Sequence, residues 1–261
     1  MRYGVCLGAK GKEYVSIIKK AGYDYIEGAF FSIKSMDKNT FDEFARTVKD
    51  NEIKVETFNQ YFPKTQDIKV VGEDVNFSFL KDYTEEGMER AASLGGKIVV
   101  VGSGKTRTIP EGFSFERAME QNALFLRFCG DIAQKYGIQI VIEPLNRGET
   151  NFINTVQDGI DVCKYTNHSN VFCLADFFHM YKNGETLEAI ENSNGILKHV
   201  HIARANDDRA QPTMAEKDTC IMWSNALKKC GYTDRLTLES RFVPDFESAI
   251  VEALPAMKLF G

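Results

Sequence analysis

Residues 116–144 read ERAMEQNALFLRFCGDIAQKYGIQIVIEP. The first part predicts an amphipathic helix over residues 116–136, because its apolar side chains recur at helical spacing. Those side chains are Phe125, Leu126, Phe128, Cys129, Ile132 and Ala133. Gly137 is the type of residue that typically ends a helix, and the apolar run over 138–144 predicts a strand. The stretch is therefore one helix-to-strand unit of an α/β protein.

The same unit recurs along the whole chain. Short apolar strands alternate with longer amphipathic stretches, a pattern typical of a parallel sheet covered by helices. Strands are predicted over residues 3–7, 23–29, 53–59, 97–102, 138–144, 171–176, 197–203 and 235–241. Eight such units in 261 residues predict an α/β fold of the (β/α)8 TIM barrel type. The alternative is an open doubly wound sheet, which normally has a glycine-rich turn after its first strand; residues 7–11 (LGAKG) match that turn poorly.

Length and composition limit the class of protein. The chain is 43% hydrophobic and 26% charged, which is enough apolar material for one sizeable core, so residues 1–261 are predicted to form a single domain. The formal net charge is −5, with acidic and basic residues interspersed. The sequence has no basic stripe of the kind that neutralises phosphates, so a nucleic-acid partner is not expected.

The N-terminal segment and the cysteines indicate the compartment. Residues 1–6 enter a predicted strand directly, without the apolar stretch and cleavage site of a signal peptide. No run is long enough to span a membrane. The six cysteines are scattered and form no CxxC pair, which favours reduced thiols. We therefore expect a cytoplasmic protein without a membrane partner.

Metal-binding side chains stand at the ends of four successive predicted strands. Strand five ends with Glu143, strand six with Asp176, strand seven with His201 and strand eight with Glu239. In a barrel these positions meet at the C-terminal mouth. Three carboxylates in one place repel one another unless a cation lies among them, and an oxygen-rich set with one imidazole favours Mn²⁺ or Mg²⁺ over Co²⁺ or Zn²⁺. One divalent metal ion, with Mn²⁺ as first choice, is the expected cofactor.

Other polar residues have more ordinary interpretations, because a single strand-end carboxylate is more often a structural ion-pair partner. By strand alternation His199 lies on the same face as His201 but one layer deeper, so we expect it to be hydrogen-bonded in the core. His168 falls in a predicted loop. Glu27 and Glu56, assigned to the ends of strands two and three, either line the mouth or form surface ion pairs.

The connections after strands three, four and seven are candidates for contact with a substrate. Residues 99–106 end like a phosphate-binding P-loop, but Val99 replaces the first glycine of that motif and no helix is expected to follow at once. We interpret the stretch as an ordinary loop, in which Lys105 and Arg107 are candidates for contact with a substrate phosphate. The longer connections over 61–77 and 206–218 are expected to be lids or substrate-binding segments.

Two motifs resemble a known family. They are residues 143–152 (EPLNRGETNF) and residues 176–180 (DFFHM). Together they closely resemble the xylose-isomerase-like barrels of sugar phosphate isomerases and epimerases, which include ketose 3-epimerases of the tagatose and psicose type. The resemblance in strand order and helix spacing covers essentially the whole chain.

The resemblance implies roles for particular residues. It implies that the metal is bound by Glu143, Asp176, His201 and Glu239, and that Glu143 and Glu239 also act on the substrate. It further implies that Glu149, His179 and an arginine after strand seven hold substrate hydroxyls. That arginine is Arg209, or else Arg204, because the loop differs from the family pattern and residues 211–214 (QPTM) replace the usual Pro-Gly-x-Gly turn.

Such a site would act by proton abstraction. A metal chelated by the carbonyl and adjacent hydroxyl of a ketose acidifies the hydrogen on the intervening carbon and stabilises the enediolate. One glutamate removes the proton. Its return by the other glutamate on the opposite face is epimerisation, and its return to the neighbouring carbon is isomerisation. The resemblance also implies a homodimer or homotetramer.

Three other functions are alternatives to this one. A metal-dependent lyase or dehydratase of the same superfamily, acting on a keto-sugar or inosose, needs the same metal and base. A related endonuclease for abasic DNA needs three zinc ions and extra histidines where residues 58–60 (FNQ) and 102–104 (GSG) stand, so it is rejected. A barrel that keeps its metal only for structure or sugar sensing would bind metal without turnover, and the complete acid/base pair disfavours it.

Overall fold

The structure is a computed structural model that describes residues 1–8, 10–64 and 67–261. Its parallel strands close into a barrel in sequence order, with the first strand paired to both the second and the eighth. The strands are β1 (Arg2–Gly8), β2 (Tyr25–Ala29), β3 (Val55–Asn59), β4 (Ile98–Val101), β5 (Gln139–Ile142), β6 (Val171–Asp176), β7 (Leu197–Ile202) and β8 (Arg235–Leu238). The predicted (β/α)8 TIM barrel is confirmed.

Helices connect the strands. They are α1 (Val15–Ala21), α2 (Phe30–Ser35), α3 (Lys38–Asp50), α4 (Phe77–Ser93), α5 (Gly104–Arg107), α6 (Phe115–Gln134), α7 (Val156–Thr166), α8 (Phe177–Asn183), α9 (Glu188–Glu191), α10 (Lys217–Lys229) and α11 (Phe246–Met257). The helix predicted over 116–136 is α6. It begins where the Ser114 side chain accepts a hydrogen bond from the backbone N–H of Arg117 at 3.2 Å. It ends just before Gly137, whose φ of +65° suits glycine.

Alternate residues of the central strands belong to different apolar layers. Val99 and Ile140 pack into the large core shared with the helices. Ile98, Val100, Val141 and Leu174 form a separate small cluster, which lies inside the barrel because successive side chains point to opposite faces of a strand. Two residues beyond Val141 and Leu174 along the chain stand Glu143 and Asp176. The same alternation therefore turns these two carboxylates toward the barrel axis.

The other half of the barrel interior is polar. The carboxylate of Glu27 on β2 accepts a hydrogen bond from Thr57 on β3 at 2.6 Å and lies 2.7 Å from the His199 ring nitrogen of β7. The hydroxyls of Tyr25 on β2 and Thr237 on β8 are 2.8 Å apart. Because β1 separates β2 from β8 in the sheet, these side chains meet across the interior. All five are fully buried, so the polar half is closed to solvent.

The prediction that Arg107 contacts a substrate phosphate is wrong. Its side chain is only 2% exposed and donates hydrogen bonds to the backbone carbonyls of Glu143 at 2.6 Å and Val101 at 3.2 Å. A short helix, α5, also begins at Gly104, where a loop without a helix was expected. Arg107 therefore holds the backbone after β4 and β5 together and has no free donor face for a ligand.

Glu56 does not line the mouth. It lies at the N-terminal end of the barrel, because it is the second residue of β3, which continues to Asn59. Its carboxylate pairs with Arg2 at 2.6 Å and with Arg235 at 2.8 Å. Of the two interpretations left open for Glu56, ion pairing is therefore the correct one.

The two long connections lie where predicted, at the C-terminal ends of β3 and β7. The one after β3 includes Thr65 and Gln66, which lie outside the described residues. The one after β7 returns to the barrel, since the backbone N–H of Arg241 donates to the carbonyl of Arg209 at 2.8 Å. The role of both connections as lids stays a prediction. Within residues 1–8, 10–64 and 67–261, no helix has the length and apolarity needed to cross a membrane.

One partly buried carboxylate between α8 and α9 has an unusual protonation equilibrium. The Glu185 side chain accepts a hydrogen bond at 2.9 Å from the backbone N–H of Val156, the first residue of α7. Burial raises the pKa of Glu185 to about 7, and the nearby Asp158 carboxylate adds to the effect. A glutamate in an unfolded chain has a pKa of about 4.3. Between these two values the folded protein holds a proton that the unfolded chain has lost, so the free energy of unfolding falls as pH rises through this window.

We predict that Glu185→Gln flattens this pH dependence. The amide oxygen can still accept from Val156, but no charge is buried above pH 7, so the variant should be more stable than wild type at pH 8 and similar at pH 5. Urea unfolding at both pH values measures the difference. The exposed Glu188→Gln is the matched control and should behave as wild type. Equal pH dependence in the wild type and the Glu185 variant would contradict the assignment.

Candidate active site

Four side chains converge at the C-terminal mouth of the barrel. Glu143 directly follows β5, Asp176 is the last residue of β6, His201 is on β7 and Glu239 directly follows β8. Each offers one ligand atom, and these atoms all lie within 4.8 Å of one another. The His201 Nδ1 atom is 3.2 Å from Glu143 Oε1 and 3.1 Å from Glu239 Oε2. The four residues selected from strand ends in the sequence are therefore neighbours in space.

These separations fit a divalent cation. In octahedral coordination at about 2.1 Å, neighbouring ligand atoms are about 3 Å apart and opposite ones about 4.2 Å apart. The 3.1 and 3.2 Å contacts of His201 are close to the separation of neighbouring ligand atoms, and the whole set lies within 4.8 Å. Three carboxylates and one imidazole are an oxygen-rich donor set that suits Mn²⁺ and Mg²⁺. The residues present are therefore able to hold the expected ion.

The two glutamates of the cluster have opposite protonation tendencies. Burial raises the pKa of the Glu143 carboxyl. For Glu239 burial acts in the same direction, but the positive charges of Arg209 and His201 outweigh it and lower the pKa to about 2. The pKa values of the two carboxyls are thus shifted in opposite directions by their surroundings. Such a pair is able to exchange roles as acid and base.

Asp176 joins the cluster to the following helix. Its Oδ1 atom accepts a hydrogen bond from the backbone N–H of Phe178 at 2.8 Å and so caps the N-terminus of α8. Its Oδ2 atom remains on the other side of the carboxylate, 3.0 Å from a guanidinium nitrogen of Arg209. The cap fixes the orientation of the carboxylate before any ion arrives.

Of the two candidate arginines after β7, Arg209 enters the site. Its Nη2 donates to Asp176 Oδ2 at 3.0 Å and to Glu239 Oε2 at 2.8 Å, and its guanidinium lies 4.7 Å from the Phe178 ring centre. The backbone of Arg209 has a φ of +51°, an uncommon value for this residue type. Arg204 instead lies 3.4 Å from Glu216, away from the cluster.

His179 and Glu149 meet through a shared asparagine. The backbone N–H and the side-chain amide of Asn146 lie 3.3 and 2.9 Å from His179 Nδ1, and the same amide donates to Glu149 at 2.9 Å. Because the backbone N–H can only donate, Nδ1 is the acceptor and the ring proton is on Nε2. That nitrogen lies 3.6 Å from Asp176 Oδ2. His179 therefore presents a donor at the edge of the carboxylate cluster.

The sequence left Glu27 either lining the mouth or in a surface ion pair, and the structure places it in neither position. It is completely buried, with His199 at 2.7 Å and His201 at 2.8 Å. Burial alone would raise its pKa, but the two neighbouring histidines hold the pKa of Glu27 well below its usual range. His199 is a hydrogen-bonded core residue, as predicted, and His168 lies in the loop before β6, 3.1 Å from Asp131. The feature of the sequence that could have identified Glu27 is its spacing along β2, which places it on the inward-facing side of the strand.

Asn59 and Gly102 were also missed as parts of the site. The Asn59 amide donates to Glu239 Oε1 at 2.8 Å from the last position of β3. A Cβ atom at Gly102 would lie 1.8 Å from Glu143 Oε2, so only glycine leaves room for that carboxylate. In the sequence, these two residues only argued against a zinc endonuclease. Their closeness to the glutamates results from closure of the barrel.

The fold is therefore an α/β barrel, and the cluster at its C-terminal mouth is a candidate metal-dependent active site. The family described as "Xylose isomerase-like TIM barrel" matches residues 15–258. The chain belongs to that family.

Several relatives in sequence are sugar epimerases by name. The chain is 31% identical over 138 residues to D-psicose 3-epimerase of Ruminiclostridium cellulolyticum, covering 51% of this chain and 44% of that protein. It is 30% identical over 166 residues to 3-dehydro-D-guloside 4-epimerase of Escherichia coli, covering 60% and 62%. A D-psicose 3-epimerase of Agrobacterium fabrum is 26% identical over 207 residues, covering 76% and 69%. The chain thus matches less than two-thirds of the length of the first two relatives.

Solved structures share the fold. A D-psicose 3-epimerase crystallised in the presence of D-fructose superposes with a TM-score of 0.84 over 100% of both chains, at 19% identity. The apo form of 3-keto-D-glucoside 4-epimerase from E. coli superposes with a TM-score of 0.82 over 99% of both chains, at 22% identity. At these identities the likeness shows a common barrel architecture.

We predict that Gly102→Ala weakens metal binding without unfolding the protein. The added methyl group must displace the Glu143 carboxylate from the cluster, because the two would otherwise overlap. We expect Mn²⁺ affinity to fall by roughly 10-fold or more, measured by calorimetric titration. The melting temperature of the metal-free variant is the control and should change by no more than a few degrees. Unchanged Mn²⁺ affinity would show that Glu143 does not need this space.

Proposed function

We propose that the protein is a metal-dependent sugar epimerase or isomerase of the ketose 3-epimerase type. It would remove a proton beside a carbonyl group and return it, through an enediolate of the substrate. The observation that carries the proposal is the pair of glutamates, Glu143 and Glu239, which flank one imidazole nitrogen at 3.2 and 3.1 Å. The names of the relatives, among them a D-psicose 3-epimerase and a 4-epimerase, support the same reaction class.

The metal would be held by Glu143, Asp176, His201 and Glu239. When bound, the ion would draw electron density from the substrate carbonyl and make the neighbouring C–H bond more acidic. The donor set favours Mn²⁺, with Mg²⁺, Co²⁺ and Zn²⁺ as poorer fits.

Glu143 and Glu239 would form the acid/base pair. Burial raises the pKa of Glu143, whereas the positive charges of Arg209 and His201 lower the pKa of Glu239. Two carboxyls at one site whose pKa values are shifted in opposite directions allow one group to take a proton while the other gives one. Asn59 donates to one oxygen of Glu239 at 2.8 Å, and this contact would keep the carboxylate aimed at the substrate.

Substrate hydroxyls would be held by Glu149, His179 and Arg209. The His179 Nε2–H is a donor because its Nδ1 accepts from Asn146. The Glu149 side chain is 46% exposed, so its carboxylate is open to the mouth as an acceptor. Arg209 brings a cation within hydrogen-bond distance of two proposed metal ligands. Donors and an acceptor around one cluster are the arrangement that orients a polyhydroxylated ligand.

We also infer a cytoplasmic protein that works as a homodimer or homotetramer. The cysteines at 6, 129, 163, 173, 220 and 230 are unpaired with one another, as reduced thiols in a reducing compartment would be.

We predict that Glu143→Gln and Glu239→Gln each slow proton exchange by orders of magnitude. In D₂O with Mn²⁺, a panel of free and phosphorylated ketoses is followed by NMR for deuterium at the carbon beside the carbonyl. The wild type should incorporate deuterium into at least one sugar, and each variant should be slower by roughly 10²–10⁴-fold, the usual contribution of a general acid or base.

The control for this experiment is His168→Ala, a loop substitution remote from the cluster that should keep wild-type exchange. Proton exchange at the wild-type rate in both glutamine variants would overturn the proposed acid/base pair. If the sugar loses water and the proton is not returned, the protein is a lyase of the same superfamily and not an epimerase.

We predict that Arg209→Ala impairs substrate binding and that Arg204→Ala does not. A charge-assisted hydrogen bond contributes about 1.5–3 kcal/mol, so the KM of Arg209→Ala should rise by roughly 10–100-fold on the sugar found above. Arg204 pairs with Glu216 outside the cluster, so its KM should stay within about twofold of wild type. Equal effects of both substitutions would show that Arg209 has no direct contact with the sugar.

A further inference from the structure

The carboxylate of Glu27 is placed one layer below the proposed metal ligands, and its two oxygens have different partners. Oε2 is within hydrogen-bond distance of three groups, namely Thr57 Oγ1 at 2.6 Å, His199 Nε2 at 2.7 Å and Thr237 Oγ1 at 3.2 Å. Oε1 lies 2.8 Å from His201 Nε2. Both atoms are buried, and among the described residues neither has a partner that meets the distance and angle requirements of a hydrogen bond, so their 2.8 Å separation is a close ion-pair contact. The free oxygen and the free ring nitrogen are therefore left to each other.

We propose that Glu27 is a positioning residue that holds the His201 ring with Nε2 protonated and Nδ1 directed at the metal. This inference rests on the proposed metal-dependent function. It goes beyond that function by assigning a role to a residue that touches neither the ion nor the substrate.

The chemistry of imidazole requires such a partner. A neutral histidine carries one ring proton, and a ring nitrogen binds a metal only through an unprotonated lone pair. His201 Nδ1 is the nitrogen beside Glu143 and Glu239, at 3.2 and 3.1 Å, so the proton must be on Nε2. A carboxylate beside that proton fixes the tautomer, orients the ring and makes Nδ1 a stronger donor to the metal.

The surroundings of Glu27 hold the carboxylate in place. A charge that is completely buried needs several hydrogen-bond donors to remain there, and the groups from β3, β7 and β8 supply them to Oε2. Tyr25 extends this network, because its hydroxyl is 2.8 Å from Thr237 Oγ1. The polar half of the barrel interior is therefore a rigid support beneath His201.

Glu27, His199 and His201 also form a cluster of three potential metal ligands. His199 Nε2 is hydrogen-bonded to Glu27 Oε2 at 2.7 Å and His201 Nε2 lies 2.8 Å from Oε1, both shorter than the roughly 3 Å or more between ligand atoms on one ion. A second metal ion does not fit between atoms already this close. The cluster is therefore a support for His201 and not a separate metal site.

The test is a titration with Mn²⁺ alone, followed by calorimetry, on the whole protein. Glu27→Gln should bind Mn²⁺ roughly 10–100-fold more weakly than wild type, the usual effect of losing such a partner. His201→Ala removes one of the proposed ligands, so its Mn²⁺ affinity sets the lower limit for the comparison. The matched control is Glu56→Gln, because Glu56 is also a buried carboxylate paired with two groups, but at the opposite end of the barrel. Its Mn²⁺ affinity should equal that of wild type.

A second measurement has a wild-type part that does not depend on any variant folding. In wild-type protein loaded with diamagnetic Zn²⁺, ¹⁵N NMR of the four histidines should show one ring with a metal-bound Nδ1 and a proton on Nε2. In Glu27→Gln the Nε2–H signal should move upfield, because an amide oxygen is a weaker acceptor than a carboxylate. A wild-type His201 that binds zinc through Nε2 would overturn the inference.

The outcomes separate the two proposals. If the wild type binds no divalent metal, the proposed function fails. If the wild type binds Mn²⁺ and Glu27→Gln binds it equally well, the proposed function stands and the role of Glu27 is wrong. If Glu56→Gln weakens binding as much as Glu27→Gln, the effect is a general loss of stability and the positioning role is also wrong.

Discussion

The repulsion among buried carboxylates at the barrel mouth is the constraint on which the rest of the site depends. Glu143, Asp176 and Glu239 stand at the C-terminal ends of β5, β6 and β8, and their oxygens lie within a few ångströms of one another. Without compensating positive charge this arrangement would be strongly unfavourable in a water-poor site. His201 and Arg209 supply part of that charge, and a divalent cation would supply the rest. The same requirement that keeps the carboxylates together thus makes them suitable for metal-dependent proton transfer.

The barrel interior is divided according to this requirement. Beneath Glu143 and Asp176 the filling is apolar, from the small cluster of β4, β5 and β6, which keeps water away from the two carboxylates. Beneath His201 and Glu239 it is polar, and Glu27 connects the histidine to hydroxyl groups on β3 and β8. One side of the interior thus excludes solvent and the other supplies fixed hydrogen bonds. Both conditions favour a preorganised site.

Much of this arrangement was accessible from local patterns. The alternation of strands and amphipathic helices predicted the barrel, and the C-terminal ends of β5 to β8 predicted the four clustered residues, because both depend on chain order and periodicity. The expected phosphate contact of Arg107 was wrong, and the role of Glu56 was left open, for a common reason. A charged residue near a strand end has the same appearance in the sequence whether it binds carbonyl groups of its own chain, pairs at the opposite end of the barrel or contacts a ligand.

The sequence by itself determined the fold class and the residues that meet at the mouth, since periodicity sets which side chains face inward and parallel strands bring their ends together. Only the tertiary structure decided which arginine enters the site, which residues make room for Glu143, and that Glu27 on β2 supports His201 on β7 at 2.8 Å. Those contacts join residues up to 174 positions apart, as far as Glu27 is from His201 (201 − 27). They arise from barrel closure and side-chain packing, which no local pattern encodes.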